Sequence, residues 1–255
     1  MGQKIVTAAV LLIGDELLSG RTRDVNLQNI AQFLGPLGVG VAESRTVPDV
    51  HEKIVAALNE LRASYDYVFT TGGIGPTHDD ITADAVADAF GAHIGERDDA
   101  LKLLIAHYGG EDRLSPARRR MARIPDGADL IINSTSGAPG FQIGNVMVLA
   151  GVPIIVKAML EDIAHRIDGA APLLSRTVRG RGLKEGDFAA DLEALAHDMS
   201  DLSFGSYPFF EPGNMGASIV VRGVDADRLS LAVERIVALV QKQGCSPEID
   251  PDIKA

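Results

Sequence analysis

The chain has 255 residues, 46% hydrophobic and 23% charged, with a formal net charge of −11. That content supports a large core in one sizeable domain plus a small one, while the acidic balance argues against a general nucleic-acid or anionic-membrane surface. A single cysteine, Cys245, excludes an internal disulfide and fits a reducing cytoplasm, and no apolar stretch reaches the roughly 20 residues of a membrane span.

The first element is the apolar run Ile5 to Ile13. It is too short, and too poorly flanked, for a signal peptide, and Val6 stands where a myristoylation signal needs Ser or Thr, so it reads as a buried strand. It ends at Gly14-Asp15-Glu16, which delivers two carboxylates to the end of the strand. Asp24 then caps a helix with Leu27, Ile30, Leu34 and Leu37 at helical spacing before Gly38. Gly40 to Val47 reads as a second strand. Asp49 with Glu52 forms a capping-box-like start for a helix burying Val50, Ile54, Leu58 and Leu61.

Tyr65 to Phe69 is a third strand, and it runs into Thr70-Thr71-Gly72-Gly73-Ile74-Gly75-Pro76-Thr77-His78-Asp79-Asp80; an Ala-rich helix, Ile81 to Phe90, follows and stops at Gly91. Glycines without Cβ let successive N–H groups approach phosphate oxygens, and the helix start adds unpaired amides. Asp79 or Asp80 can cap that helix or point into the site. A dinucleotide fingerprint would need glycine in place of His78, and a Walker loop would need Gly-Lys-Ser/Thr, so neither applies. His78 reads most simply as a polar loop residue. If the Asp15-Glu16 and Asp79-Asp80 turns converge, up to four carboxylates face one pocket. Two unit charges about 4 Å apart interact by roughly 4 kcal/mol at an effective dielectric of 20, so a polyphosphate there requires a cation or protonation. Mg²⁺, Mn²⁺ or Co²⁺ bridging carboxylates to phosphates is the expected cofactor, with Asp15 and Asp80 as its ligands.

Asp98 to Arg123 carries two helices, the second opened by Ser115 and Pro116. Its arginines, Arg118, Arg119, Arg120 and Arg123, read as an ordinary solvated or interface face in preference to a phosphate site. Leu130 to Asn133 and Asn145 to Leu149 are strands separated by the loop Ser136-Gly137-Ala138-Pro139-Gly140. Asn26 and Asn133 are either ligand contacts or buried groups that fix loop geometry. Alternating strands and helices imply parallel β-α-β units, whose ligands bind at the carboxyl edge of the sheet.

A boundary falls near Ala170 to Pro172, giving a nucleotide domain at 1–170, a small α+β domain at 171–246 and a flexible tail at 247–255. Beyond the boundary, Leu173 to Val178 is a strand, Phe188 to Met199 a helix, and Leu202 to Tyr207 a strand. The turn Glu211-Pro212-Gly213-Asn214 leads to the strand Ala217 to Arg222, and Asp225 opens a last amphipathic helix. This order suggests a two-layer sandwich. Tyr207-Pro208-Phe209-Phe210 is the aromatic cluster, read as domain core or subunit contact ahead of base stacking.

Gly14-Asp15-Glu16-Leu17-Leu18-Ser19-Gly20, Asp24, Asn26, Thr70 to Thr82, Asn133, Gly137, Pro139, Gly140 and Gly151-Val152-Pro153 together resemble the molybdopterin-binding domain of the MogA and MoaB proteins. The CinA (competence/damage-inducible protein A) proteins and some FAD synthases share that domain, and the match is nearest the CinA branch. The resemblance implies an α/β fold, a mostly parallel sheet flanked by helices followed by a small α+β sandwich, that binds pterin or adenine-nucleotide ligands. It implies Asp15, Glu16, Asp79 and Asp80 as catalytic candidates and Gly72, Gly73, Gly75, Thr77, Thr82, Asn26, Gly137 and Gly140 as substrate contacts. It also implies a homo-oligomer, dimer or trimer, in the cytoplasm. Two departures stand out: Ile154-Ile155-Val156 follows Pro153 where relatives carry a glutamate, and the amidase domain of full-length CinA proteins is not expected. The reading is a metal-dependent hydrolase of an ADP-ribose- or FAD-like pyrophosphate. The alternatives are molybdopterin binding or adenylylation in molybdenum cofactor synthesis, and a non-catalytic nucleotide-binding module.

Overall fold

A computed structural model describes residues 6–211 and 214–250, and the chain divides after Ala170 into two compact units. The first unit runs β1 (Val6–Ile13), α1 (Asp15–Leu18), α2 (Asn26–Leu34), β2 (Val39–Val47), α3 (His51–Ser64), β3 (Tyr67–Thr71), α4 (Thr82–Phe90), β4 (Ile94–Glu96), α5 (Asp98–Tyr108), α6 (Pro116–Arg120), β5 (Arg123–Pro125), β6 (Asp129–Ile131), β7 (Gly140–Ile143), β8 (Val146–Leu149) and α7 (Pro153–Ile163). Its six-stranded sheet has the order β2-β1-β3-β8-β7-β6. β1 pairs in parallel with β2 and β3, and β3 with β8; β7 is antiparallel to both its neighbours.

The apolar run of β1, uninterrupted from Ala8 to Ile13 after Thr7 near its start, follows from burial on both faces. Ala9, Leu11 and Ile13 pack with Ile54, Leu58 and Leu61 of α3, whereas Ala8, Val10 and Leu12 pack with Ile30 and Leu34 of α2 and Met159 of α7. A period-2 strand sandwiched between helices has no polar face to show. Each of these fully buried Leu or Ile side chains contributes roughly 1.5–3 kcal/mol of transfer free energy.

Several expectations need correction. The apolar loop-to-strand stretch after Pro139 contains a strand, β7, with Phe141 buried against β8. Being four residues long and opened by a glycine, it carries no periodic signal. β3 begins two residues after Tyr65, whose hydroxyl donates to Glu43 Oε2 at 2.6 Å beyond the end of α3. Val50 is 42% exposed instead of buried.

In the second unit, β9 (Leu174–Arg181), α8 (Glu185–Asp198), β10 (Ser203–Glu211), β11 (Asn214–Gly223), α9 (Ala226–Lys242) and β12 (Pro247–Ile249) form one antiparallel sheet in the order β10-β11-β9-β12. Phe188 and Leu195 of α8 and Leu229, Ile236 and Val240 of α9 cover one core with Val178, Ile219 and Val221 of the sheet. Asp225 Oδ1 accepts from the N–H groups of Asp227 and Arg228, capping α9 as its sequence position demands. The stretch from 247, expected as a loose tail, instead adds the edge strand β12 against β9, and Arg179 Nε donates to Asp250 at 3.0 Å. Residues 251–255 and Pro212-Gly213 of the expected turn lie outside the described residues. Tyr207 and Phe210 do not fill core: they are 48% and 78% exposed on β10. Among the described residues no helix is long and apolar enough to cross a membrane.

Candidate functional site

Parallel pairing places the two acidic turns side by side. Leu12 of β1 stands opposite Thr71 of β3, so both strands end at the same edge within about one residue of each other. The backbones then nearly touch: a Cβ on Gly72, which has φ 100°, would sit 2.2 Å from the Ile13 carbonyl oxygen. The loop after β8 joins them, since a Cβ on Gly151 would come 3.3 Å from Gly72 Cα. Three strand ends thus build one rim.

The glycine loop is held from beneath. Thr82, the first residue of α4 and fully buried, donates its N–H to Gly73 O at 2.9 Å, and its hydroxyl would be 2.2 Å from a Cβ on Gly73, which has φ 67°. The loop is closed by Asp80, whose Oδ2 accepts from Thr77 N–H at 2.8 Å and Thr77 Oγ1 at 2.6 Å. Gly75 is needed for a different reason from its neighbours: a side chain there would press on Asp80 Oδ2 at 2.7 Å. Arg120 Nη2 donates to the Asp80 carbonyl at 3.3 Å.

Above this rim lies a cleft of about 530 Å³, a size that takes a nucleotide-sized ligand. Its lining combines polar groups and backbone, from Glu16, Thr22, Gly72, Gly73, Gly75 and Asp80, with the apolar side chains of Ile74, Tyr108, Met121, Val152 and Ile155. Glu16 and Asp80, from turns more than sixty residues apart, therefore face one space. Ile155, beyond Gly151-Val152-Pro153, lines it too.

The remaining candidates separate. Asn26 lines a smaller recess beside the cleft. Asp24, through both carboxylate oxygens, accepts from the N–H groups of Asn26 and Leu27, as its capping position predicts. Asp15 is exposed, does not line the cleft, and donates its N–H to Asp49 Oδ2 at 2.9 Å. That bond also overturns the capping box: Asp49 is spent on the β1 turn, and α3 starts without a side-chain cap. Burial raises the Asp49 carboxyl above the ordinary range and the Asp15 N–H lowers it; the Asp15, Glu16 and Asp79 charges raise it further. Asp79 and Thr77 are exposed and outside the cleft lining, with His78 Nδ1 3.8 Å from Asp79. Thr82 supports the loop from the core and is not a contact surface. Gly140 is also not a loop contact: it is buried in β7, where a Cβ would meet Val148 O at 2.3 Å. Gly137 packs on His107 while its neighbours Ser136 and Ala138 line the cleft. Asn133, 5% exposed, shapes that loop by accepting from Ser136 N–H at 2.8 Å and donating to Ala138 O at 2.6 Å.

Of the arginines, Arg119 is paired to Glu96 and Glu111, Arg123 to Asp84, and Arg118 stacks on Tyr108 at 4.2 Å. Thr22, Tyr108 and Met121 carry no signal in the sequence, and Asp49 signals only a helix start; the placement of each depends on packing between distant elements.

For a divalent cation, the donor chemistry fits in kind: Glu16 and Asp80 are hard oxygen ligands beside backbone amides. Among the described residues no three His, Cys, Asp or Glu side chains are grouped to hold a metal. Glu16 and Asp80 would hold it, with ligand phosphate and water completing the shell.

A cleft at the carboxyl edge of a mostly parallel sheet, floored by a glycine loop, defines an α/β domain that binds a small ligand. Residues 9–176 match the family model described as probable molybdopterin binding domain, and the chain belongs to that family. Residues 172–248 match the FAD synthase middle domain. The CinA-like protein of Citrifermentans bemidjiense is 44% identical over 161 residues, 60% of this chain and 38% of that protein. A protein of Pyrobaculum calidifontis is 34% identical over 211 residues, 79% of this chain and 80% of its own. The crystal structure of the protein CinA with unknown function from Thermoplasma acidophilum is similar at TM-score 0.59 and 34% identity, covering 63% of this chain and 96% of that one. The chain spans 38% and 45% of the CinA-like proteins of C. bemidjiense and Syntrophotalea carbinolica.

Proposed function

We propose that the first unit is a divalent-metal-dependent hydrolase of a dinucleotide-type pyrophosphate such as ADP-ribose or FAD. The observation that carries this reading is the shared cleft of Glu16 and Asp80 beside Gly72 to Gly75. Backbone amides of the glycine loop hold the diphosphate. Glu16 orients and deprotonates the attacking water, and Asp80, fixed by Thr77, sets the position of the reacting phosphate. A divalent ion held by Glu16 and Asp80 would neutralise charge on the phosphate oxygens. The apolar side chains of the cleft, Ile74, Tyr108, Met121, Val152 and Ile155, take the planar base or flavin.

ADP-ribose plus water would yield AMP and ribose phosphate, so AMP release in Mg²⁺, Mn²⁺ or Co²⁺ tests the proposal; a rate no higher than that of Asp80→Asn in all three defeats it. A second reading, pterin binding or adenylyl transfer to molybdopterin, is favoured by the family match and by the apolar wall, which excludes water from a bound intermediate. Fluorescence of a co-purified pterin would support it. The small number of carboxylates in the cleft favours a third, a nucleotide-binding module without turnover, in which affinity is independent of metal. Assembly into a homo-oligomer in the cytoplasm, with no nucleic-acid partner, belongs to the same proposal.

A further inference from the structure

The recess beside the cleft holds a polar group with nothing to bind. Asn26 is 6% exposed, and its Nδ2 donates to Gly151 O at 2.7 Å. Because a carbonyl can only accept, this bond fixes the amide orientation and leaves Oδ1 as an acceptor; it is buried and has no partner. An orphaned buried acceptor is costly unless a ligand or water satisfies it. The recess measures about 70 Å³, against the roughly 10–15 Å³ that one water requires. It shares Glu16, Thr22, Gly72, Gly151 and Pro153 with the cleft, so it opens directly beside the loop assigned to the diphosphate.

We infer that this recess takes the vicinal diol of the pentose next to the diphosphate, with a hydroxyl donating to Asn26 Oδ1. The inference rests on the nucleotide reading above and deepens it. Asn26 Oδ1 can only accept, so at that point the recess selects a donor. Its lining also holds Thr22, Arg23, Asp24 and Thr71 beside the aliphatic Ile13 and Leu17, but no aromatic ring on which a base would stack. The base belongs in the wider cleft, against Tyr108 and Met121. Position, polarity and size therefore all point to the sugar.

Titration calorimetry of the unmodified chain with AMP, 2′,3′-dideoxy-AMP and inosine monophosphate is the test. AMP is expected to bind at least about 10-fold more tightly than its dideoxy counterpart, the effect of one or two lost hydrogen bonds to a desolvated acceptor. In Asn26→Ala that ratio should fall by at least about 3-fold, chiefly by weaker AMP binding. Equal binding of AMP and dideoxy-AMP to the unmodified chain overturns the diol while leaving the nucleotide reading intact. A preference for AMP over inosine monophosphate that Asn26→Ala abolishes, without dideoxy discrimination, overturns it in favour of an amino group. Binding of none of these removes both readings, whereas diol discrimination without turnover removes only the hydrolase.

Discussion

The two units use similar ingredients, strands covered by helices, to different ends. In the first, β1, β3 and β8 run in parallel, so their carboxyl ends share one edge and three unrelated loops meet around Gly72. In the second, each strand of β10-β11-β9-β12 is antiparallel to its neighbour, so neighbouring strands deliver their carboxyl ends to opposite edges. Convergence of polar groups is thus a property of strand direction. What the second unit offers is apolar: Phe210 and Met215, 78% and 63% exposed, with Pro208 along a groove of about 820 Å³.

The severest way to break this contrast is to disturb the meeting point of the loops. Gly72→Ala places a methyl against the Ile13 carbonyl in a left-handed backbone, and a loss of about 3 kcal/mol is expected. Thermal unfolding followed by circular dichroism should show a Tm lower by about 6–12 °C. Asp80→Asn should cut kcat for AMP release by about 100-fold or more while leaving Tm within about 3 °C. An unchanged kcat would detach the glycine loop from the chemistry. Arg120, bonded to the Asp80 carbonyl, and Arg119, tied to Glu96, sharpen the boundary of the site. Arg120→Ala should raise KM about 10-fold and Arg119→Ala less than about 2-fold, the difference between a charged hydrogen bond at the loop and a surface pair.

In the second unit, Phe210→Ser with Met215→Ser should leave turnover within about 2-fold and Tm undiminished, since exposed side chains contribute little to folding. Steady-state assays would detect a greater loss, which would bring that surface into the reaction. The smallest effect is electrostatic. The folded state favours protonated Asp49 more than the unfolded state does, so its charge costs stability at neutral pH, and the cost vanishes as pH falls below the ordinary value of 3.8. Asp49→Asn should therefore raise Tm slightly at pH 7 and not at pH 3, read by calorimetry at both.

Much of the layout is legible in the residues. β1 is apolar from Ala8 to Ile13 because helices cover both its faces, and Asp24, Ser115 and Asp225 announce helix starts through local hydrogen bonds that reach no farther than three residues. Asp49 shows the opposite case. It occupies a capping position by spacing, yet its carboxylate serves Asp15, thirty-four residues away. The short β7 and the exposure of Phe210 are not legible for related reasons: four residues carry no period, and aromaticity does not say which side of a strand faces a helix.

The sequence by itself determined the alternation of strands and helices, the glycine loop and the residue types available to it, because these follow from periodicity and from contacts within a few residues. Only the tertiary structure decided that Glu16, and not Asp15, shares the cleft with Asp80, that Thr82 and Gly140 lie beneath or beside it, and that Asn26 keeps an unpaired acceptor. Those outcomes depend on where distant backbones approach within a few ångströms, which parallel strand pairing sets and no local pattern encodes.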